Sequence, residues 1–251
     1  MTFWIILSIF KCFYNIFASI LTQNCKFYSK LIFVKPTENE TSLTLTWILP
    51  PVKMFYKCKP LAYIGLIFGN TEDGGIINYL KDLKLINSLN FDFTRRTCHT
   101  QVQLFVDLTK EGYEKINFIL EVILSYLKMI KNTPMAVHER LYKDIADHIN
   151  LSFNYFKEST AMCNVQVSYD INAVVDEDLL RSKILLEYDA NAIEKFIDHL
   201  NNDDFNITIM TSKQEIYHMT EKYFKAKYDV QEIPENFIKI KNDRKINENF
   251  Y

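Results

Sequence analysis

Residues 43–49 read "LTLTWIL" and alternate large apolar side chains with threonine or isoleucine. In an extended chain, the leucines and Trp47 fall on one face and the remaining residues on the other. This period of two predicts a β-strand with one face on a hydrophobic core. Pro50 and Pro51 follow directly and end the strand.

Two helices and a second strand are predicted after this one. In "KPLAYIGLIFGN", residues 59–70, Pro60 suits the first turn of a short apolar helix, and Gly69 ends it. Residues 75–84 place their isoleucines and a leucine on one side and charged residues elsewhere, which indicates an amphipathic helix. "QVQLFVD", residues 101–107, alternates again and predicts a strand.

The rest of the readable pattern is mostly helical. Thr109 is the predicted N-cap of a long helix, and Asp189 caps a later one. "FNITIMT", residues 205–211, then closes the regular part with a strand. The order of elements predicts an α+β fold, with a mostly antiparallel sheet covered on one face by helices. One more helix is predicted between the helix capped by Thr109 and the helix capped by Asp189. Its apolar stripe is Val137, Leu141, Ile145 and Ile149.

Composition narrows the classes of function. The chain has 251 residues, of which 48% are hydrophobic, enough for a sizeable core. Its formal net charge of -2 argues against a nucleic-acid surface, which needs an excess of clustered lysine and arginine. The five cysteines are scattered, with no Cys-x-x-Cys pair, and are expected to be free thiols.

Four of the five glycines fall within residues 65–75. A phosphate loop would need a lysine and a hydroxyl residue at a helix start, whereas Glu72 and Asp73 would repel a phosphate. Two explanations stay open. The glycines either end and closely pack two helices, or they let another peptide approach the backbone.

No metal or nucleophile motif is complete. His138-Glu139 resembles half of a zinc motif, but position 142 is tyrosine, and His148 lies about 15 Å further along a helix. Structural roles are therefore predicted for all five histidines, and no catalytic or metal-binding residue is assigned. No Gly-x-Ser-x-Gly elbow is present.

Residues 1–30 are an apolar segment that fits a secretory signal or a membrane anchor, and equally an ordinary buried segment or a sequence that does not belong to the mature domain. Membrane association is expected only through residues 1–22. Residues 31–240 are predicted to form the domain, and residues 241–251 a charged tail. Localisation is left open between a cytoplasmic and a secretory or membrane-anchored protein.

Four phrases together carry a resemblance to a known family. They are "SLTLTWILPPVKMFYKCKPLAYIGLIFGNTEDGGIINYLKDLKLINSL", "VDLTKEGYEKINFILEVILSYLKMI", "NITIMTSK" and "EKYFKAKYDVQEIPENFIK". In this order they resemble the second, non-catalytic domain of the insulin-degrading enzyme and nardilysin branch of the pitrilysin (insulinase) zinc metallopeptidases. The resemblance covers about residues 31–240.

The resemblance implies a domain that walls a substrate chamber. Such peptidases have four homologous α+β domains, and the zinc motif His-x-x-Glu-His belongs to the first. That motif is absent from this sequence, so the chain is predicted to be inactive alone, with no cofactor of its own. Zinc is expected only in a separate catalytic domain or partner, and the other implied partner is a peptide substrate.

The resemblance also implies an exosite where a substrate's amino-terminal end adds to a strand edge. Ungapped correspondence maps this peptide-binding site onto Leu66, Gly69, Thr71, Leu89, Asn90, Phe91 and Asp92. The chain departs from the family there, because Phe91-Asp92 replaces a glycine pair and Thr71 replaces an acidic residue. Asp92 would then supply the lost charge, or Phe91 would block the edge.

Three hypotheses of function follow. The first is a non-catalytic domain of such a peptidase, as part of a longer chain or as a pseudo-subunit beside a zinc-bearing partner. The second is a free-standing binding or scaffold protein of the same fold. The third is an active enzyme with an unrecognised site. In the family such a domain packs against its neighbours, so the isolated chain is expected to expose apolar patches.

Overall fold

A computed structural model describes residues 29–37, 40–96, 98–154, 185, 187–202, 204–213, 217–235 and 237. Residues 1–22 and the predicted tail, 241–251, lie outside this part of the chain. The described strands are β1 (Lys30–Val34), β2 (Ser42–Leu49), β3 (Ile86–Arg95), β4 (Thr100–Leu108), β5 (Phe205–Met210), β6 (Met219–Thr220) and β7 (Lys227–Glu232). The described helices are α1 (Pro60–Phe68), α2 (Ile76–Asp82), α3 (Lys110–Glu114), α4 (Ile116–Asn132), α5 (Met135–Asn154) and α6 (Ala190–Asn201).

The seven strands form one sheet in the order β3-β4-β2-β5-β1-β7-β6. Every pair of neighbours is antiparallel except β1 and β5, which are parallel. The predicted α+β class with a mostly antiparallel sheet is therefore confirmed. None of the described helices combines the length and apolar character that a bilayer crossing needs.

The two strands predicted first are confirmed. Along β4 burial alternates residue by residue, as its sequence pattern predicts. In β2, by contrast, every residue except Ile48 is buried. β2 lies near the centre of the sheet, between β4 and β5. Trp47 packs against Phe205 of β5 with ring centroids 5.2 Å apart.

Two features of the sheet differ from the sequence-based expectation. Residues 205–210 form the expected strand but do not close the regular part, because β6 and β7 follow and β7 pairs with β1. β3 was not predicted either, although Leu89, Phe91 and Phe93 alternate with polar residues. A strand at the end of a sheet buries only part of one face, so its hydrophobic signal is weaker than that of a central strand.

Both predicted N-caps are confirmed. The Thr109 hydroxyl accepts a hydrogen bond from the Gly112 amide at 3.0 Å, and the Asp189 carboxylate accepts one from the Ala192 amide at 3.1 Å. The single long helix predicted after Thr109 is divided at Lys115 into α3 and α4. Pro60 begins α1, which ends at Phe68 with Gly69 as its C-cap.

The predicted helix is confirmed as α5, but its apolar stripe is buried only in part, since Ile145 and Ile149 pack against the core and Leu141 does not. Leu141 is 37% exposed, whereas His138 and Tyr142 are each only 2% exposed and face the core. These two residues hydrogen-bond to buried groups of other elements, and those bonds set the rotation of the helix. The side of α5 that meets the core therefore carries His138 and Tyr142 as well as Ile145 and Ile149.

Candidate functional site

The two segments predicted to bind a peptide lie next to each other at one end of the sheet. β3 has β4 as its one strand neighbour within the described residues, so its other edge has no strand beside it. Helices α1 and α2 both pack against β3. The loop that connects them, residues 69–75, follows directly from the carboxyl end of α1.

The mapped residues differ in their access to solvent. Leu66 is 44% exposed on α1, and Gly69 and Thr71 in the loop are exposed. Leu89 is only 4% exposed, which places its side chain in the core rather than at a binding surface. Asn90 and Asp92 of β3 are exposed, and Phe91 is half-buried. The two segments are thus brought together, and β3 offers its backbone and its polar side chains.

The Phe91 ring points onto the helices. It stacks on the Phe68 ring with centroids 5.5 Å apart and an interplanar angle of 18°. A Cβ placed at Gly65 would lie 3.0 Å from Cδ1 of Phe91, so the absence of a side chain at Gly65 makes room for the ring. Phe91 fills space between α1 and β3 and does not lie across the strand edge.

The glycines at the end of the loop have a steric reason. A Cβ at Gly75 would lie 2.5 Å from the carbonyl oxygen of Asn70, which is closer than side chains tolerate. Gly74 has a φ of 86°, in the left-handed region that glycine adopts at little cost. The structural explanation of the glycines therefore applies to Gly65 and Gly75 through close packing and to Gly74 through its backbone conformation. Gly69 differs, because its φ of -77° suits any residue.

Hydrogen bonds within the loop fix its shape. The Asn70 side chain accepts from the Glu72 amide at 3.0 Å, and the Asn78 side chain donates to the Thr71 carbonyl. The Tyr126 hydroxyl of α4 donates to the Ile67 carbonyl at 3.2 Å and holds the end of α1. Burial raises the pKa of Tyr126 to about 12, so this donor keeps its proton at neutral pH.

Three acidic side chains are exposed in the two segments. Glu72 and Asp73 are exposed in the loop, and Asp92 is exposed on β3. The Asp92 carboxylate accepts a hydrogen bond from the Phe93 amide at 2.8 Å, which orients it. An ammonium group close to this loop and strand would meet a negative field. We name the unpaired edge of β3 together with residues 69–73 the β3 edge site.

The half zinc motif on α5 has a structural role. Nε2 of His138 lies 3.0 Å from the Ile130 carbonyl, which can only accept, so Nε2 carries the proton. Nδ1 then accepts from the Tyr63 hydroxyl at 2.8 Å. Both ring nitrogens are engaged, and Glu139 is paired with Lys143 at 2.6 Å. These residues do not fit a zinc ion.

Tyr142, at the position where the motif would need its second histidine, is part of the same buried region. Its hydroxyl lies 2.9 Å from the Cys58 carbonyl and 2.8 Å from the Glu187 carbonyl. Burial raises its pKa and raises that of the Cys58 thiol to about 11. Across the described residues, no three His, Cys, Asp or Glu side chains are grouped so as to hold a metal ion.

Comparison with known proteins identifies the family. A model of the peptidase M16 inactive domain matches residues 19–141, and a model of the middle or third domain of peptidase M16 matches residues 153–251. The chain belongs to the M16 (insulinase) peptidase family. The matched models are of non-catalytic type, in agreement with the resemblance found in the sequence.

Several curated relatives have similar identity. Human nardilysin is 24% identical over 227 residues, which cover 86% of this chain and 19% of nardilysin. The insulin-degrading enzyme of Drosophila melanogaster is 23% identical over 234 residues, which cover 88% of this chain and 23% of that enzyme. The chain thus spans about a fifth of the length of these relatives.

Solved structures agree on the fold. The crystal structure of pitrilysin matches with a TM-score of 0.77 at 17% identity, covering 88% of this chain and 24% of pitrilysin. The M16 inactive domain from Pseudomonas fluorescens matches with a TM-score of 0.52 at 17% identity, covering 73% of this chain and 44% of that one. At this identity the likeness concerns the fold alone.

Proposed function

We propose that this chain is a non-catalytic domain of an M16 peptidase that binds peptides at the β3 edge site and walls a substrate chamber. The observation that supports it most directly is the placement of β3. In the part of the chain that the structure describes, a ten-residue strand with one unpaired edge lies beside an exposed loop whose conformation is fixed by glycines and hydrogen bonds.

Backbone pairing would supply the affinity. An extended peptide added to a sheet edge forms main-chain hydrogen bonds, each worth about 0.5–1.5 kcal/mol net, with little dependence on side chains. Phe91 leaves the edge open because its ring lies against Phe68. The hypothesis that Phe91 blocks binding is therefore not adopted.

Asp92, Glu72 and Asp73 would contribute the preference for an amino terminus. All three are exposed, so their attraction for an ammonium group is screened by water and salt. A contribution of about 0.2–1 kcal/mol is typical of an exposed ion pair. We therefore expect charge to orient the peptide while the backbone holds it.

The binding experiment uses a nine-residue peptide with a free amino terminus and a fluorophore at its carboxyl end. Fluorescence anisotropy with the 251-residue chain gives the affinity. Acetylation of the peptide should weaken binding roughly two- to fivefold. Methylation of two alternate backbone nitrogens should weaken it by about tenfold or more, because two donors are lost.

Matched protein variants complete the experiment. Asp92→Asn should reproduce part of the effect of acetylation, whereas Glu121→Gln, which removes an exposed charge on α4, should change nothing. Two methylated peptides are compared, one with the odd-numbered and one with the even-numbered backbone nitrogens methylated. Unchanged affinity for both peptides would contradict strand addition. An affinity that changes neither with Asp92→Asn nor with acetylation of the peptide would contradict the role of charge.

A separate experiment tests the proposal that this chain does not cleave peptides without a catalytic partner. The chain is incubated with a quenched peptide and zinc, with and without a separately expressed M16 domain that carries His-x-x-Glu-His. Cleavage only in the mixture, with co-elution on size exclusion, supports a chamber domain beside a catalytic partner. Chelator-sensitive cleavage by the chain by itself would overturn the proposal, and peptide binding without any complementation would favour the free-standing binding protein.

A further inference from the structure

The β6–β7 turn presents two aromatic side chains to solvent. Tyr223 is 68% exposed and Phe224 is 55% exposed, although both are large apolar residues. They are adjacent in a turn that links two paired strands. We call residues 221–227 the aromatic tip.

A buried carboxylate holds the aromatic tip in shape. Glu221 is only 2% exposed, and its two oxygens accept hydrogen bonds from the amides of Tyr223 and Phe224. Its own amide donates to the Ala226 carbonyl at 2.8 Å. Lys225 completes the turn with a φ of 56°, a conformation that costs free energy for a residue other than glycine. The two rings are thus held outward by a built turn.

Lysines surround the rings. Lys222, Lys225 and Lys227 are exposed in or next to the turn, and the ammonium of Lys222 lies 5.7 Å from the Tyr223 ring centroid. Exposed Lys35 is also close, since its amide donates to the Lys227 carbonyl at 2.9 Å. Among the described residues no carboxylate pairs with these four lysines, and Glu221 is turned inward. A chain of net charge -2 therefore carries a local basic patch at this turn.

We propose that the aromatic tip is a docking element for an anionic lipid surface. Aromatic rings favour the depth of the lipid headgroups, and flanking lysines are attracted by acidic lipids. A protein partner would have to cover much of the surrounding surface as well, since two aromatic side chains bury roughly 150–250 Å² each and a stable interface needs roughly 1,000 Å². The sequence placed membrane contact in residues 1–22 alone, and the tip offers a second, independent element.

The aromatic tip is separate from the β3 edge site. β3 and β6 lie at opposite ends of the seven-stranded sheet, six strand spacings or about 29 Å apart. Peptide binding and lipid binding would therefore not compete for the same surface.

The experiment is sedimentation of the 251-residue chain with vesicles. One set of vesicles contains phosphatidylcholine alone. In the other set, about one lipid in three is phosphatidylserine. We expect binding to the acidic vesicles that falls with added salt. Tyr223→Ser with Phe224→Ser should reduce it more than about tenfold, because the inserted apolar area is lost. Each of Lys222→Gln, Lys225→Gln and Lys227→Gln should reduce it roughly fivefold.

Matched controls make the result decisive. Met54→Ser with Leu151→Ser removes two exposed apolar side chains elsewhere, and Lys81→Gln, Lys110→Gln and Lys115→Gln remove three exposed lysines. Binding that is unchanged in the tip variants, including binding carried by residues 1–22, would overturn the proposal. No binding to acidic vesicles by a chain with native circular dichroism would overturn it too and would leave a protein surface as the partner.

Discussion

The Tyr63 hydroxyl lies 2.8 Å from Nδ1 of His138 and joins α1 to α5 inside the core. Neither residue has more than 2% of its surface exposed. The bond gives α5 a polar contact with the core in addition to the packing of Ile145 and Ile149 from its predicted apolar stripe. His138 also binds the Ile130 carbonyl, so one imidazole links three helices.

Removing the Tyr63 hydroxyl should destabilise the protein. Tyr63→Phe leaves Nδ1 of His138 buried without a donor, at a cost of about 1–3 kcal/mol in the free energy of unfolding. Urea denaturation followed by circular dichroism measures the change. Tyr223→Phe, which removes a hydroxyl from an exposed ring, is the control and should stay within about 0.5 kcal/mol of the parent.

Acid should weaken the fold through the same histidine. Burial lowers the pKa of His138 below its ordinary value of 6.5, while its bond to the Ile130 carbonyl opposes this effect in part. The unfolded chain therefore takes up the proton first as pH falls. Stability should decrease as pH drops through 6.5 and level off below the lowered pKa.

The measurement is the free energy of unfolding from pH 8 to pH 5. His138→Gln should reduce the slope of stability against pH around 6.5. Burial also lowers the pKa of His99 and His199, so part of the slope should remain. An unchanged slope in His138→Gln would show that this histidine is not held neutral in the fold.

The contact between Gly65 and Phe91 should decide whether Gly65→Ala destabilises or stabilises the protein. An alanine Cβ at position 65 would lie 3.0 Å from the Phe91 ring, so Gly65→Ala should cost about 1–2 kcal/mol despite the better helix propensity of alanine. In a Phe91→Leu background the contact is relieved, and the same substitution should stabilise by about 0.5–1 kcal/mol. Equal effects in both backgrounds would contradict the contact.

Gly69 separates the structural explanation of the glycines from the functional one. Its backbone conformation suits alanine, although the Cβ would lie 3.3 Å from the Gly65 carbonyl oxygen, so Gly69→Ala should change stability by less than about 1 kcal/mol. If a peptide lies close to this backbone, the added methyl group should nonetheless weaken peptide binding. Gly75→Ala is the contrasting variant and should destabilise the fold strongly, because its Cβ would meet the Asn70 carbonyl. Unchanged binding in Gly69→Ala would remove Gly69 from the site.

The sequence predicts the elements whose signal is local. The alternation in β2 and β4 and the caps Thr109 and Asp189 each depend on a few neighbouring residues, and the structure confirms them. The burial of His138 on α5 was not predicted because it depends on Tyr63, 75 residues away from His138 in the chain. A contact between residues so far apart in the chain does not appear in the local hydrophobic pattern of either helix.

For the β3 edge site too, some features could be predicted from the sequence and others could not. The resemblance selected the two segments, but their meeting depends on β3 being the end strand of the sheet. The sequence left the orientation of Phe91 open, since it is set by Phe68 and Gly65 on another element. The aromatic tip was missed because an adjacent Tyr-Phe pair is as typical of a core as of a surface.

Amide hydrogen exchange along β3 tests peptide binding at the β3 edge site most directly. Amides of residues 88–94 that do not face β4 should exchange more slowly when a peptide with a free amino terminus is added, and its doubly N-methylated counterpart should protect them less. Exchange in β7, at the far end of the sheet, should not change. Saturating peptide that leaves β3 exchange unaltered would contradict peptide addition at this edge.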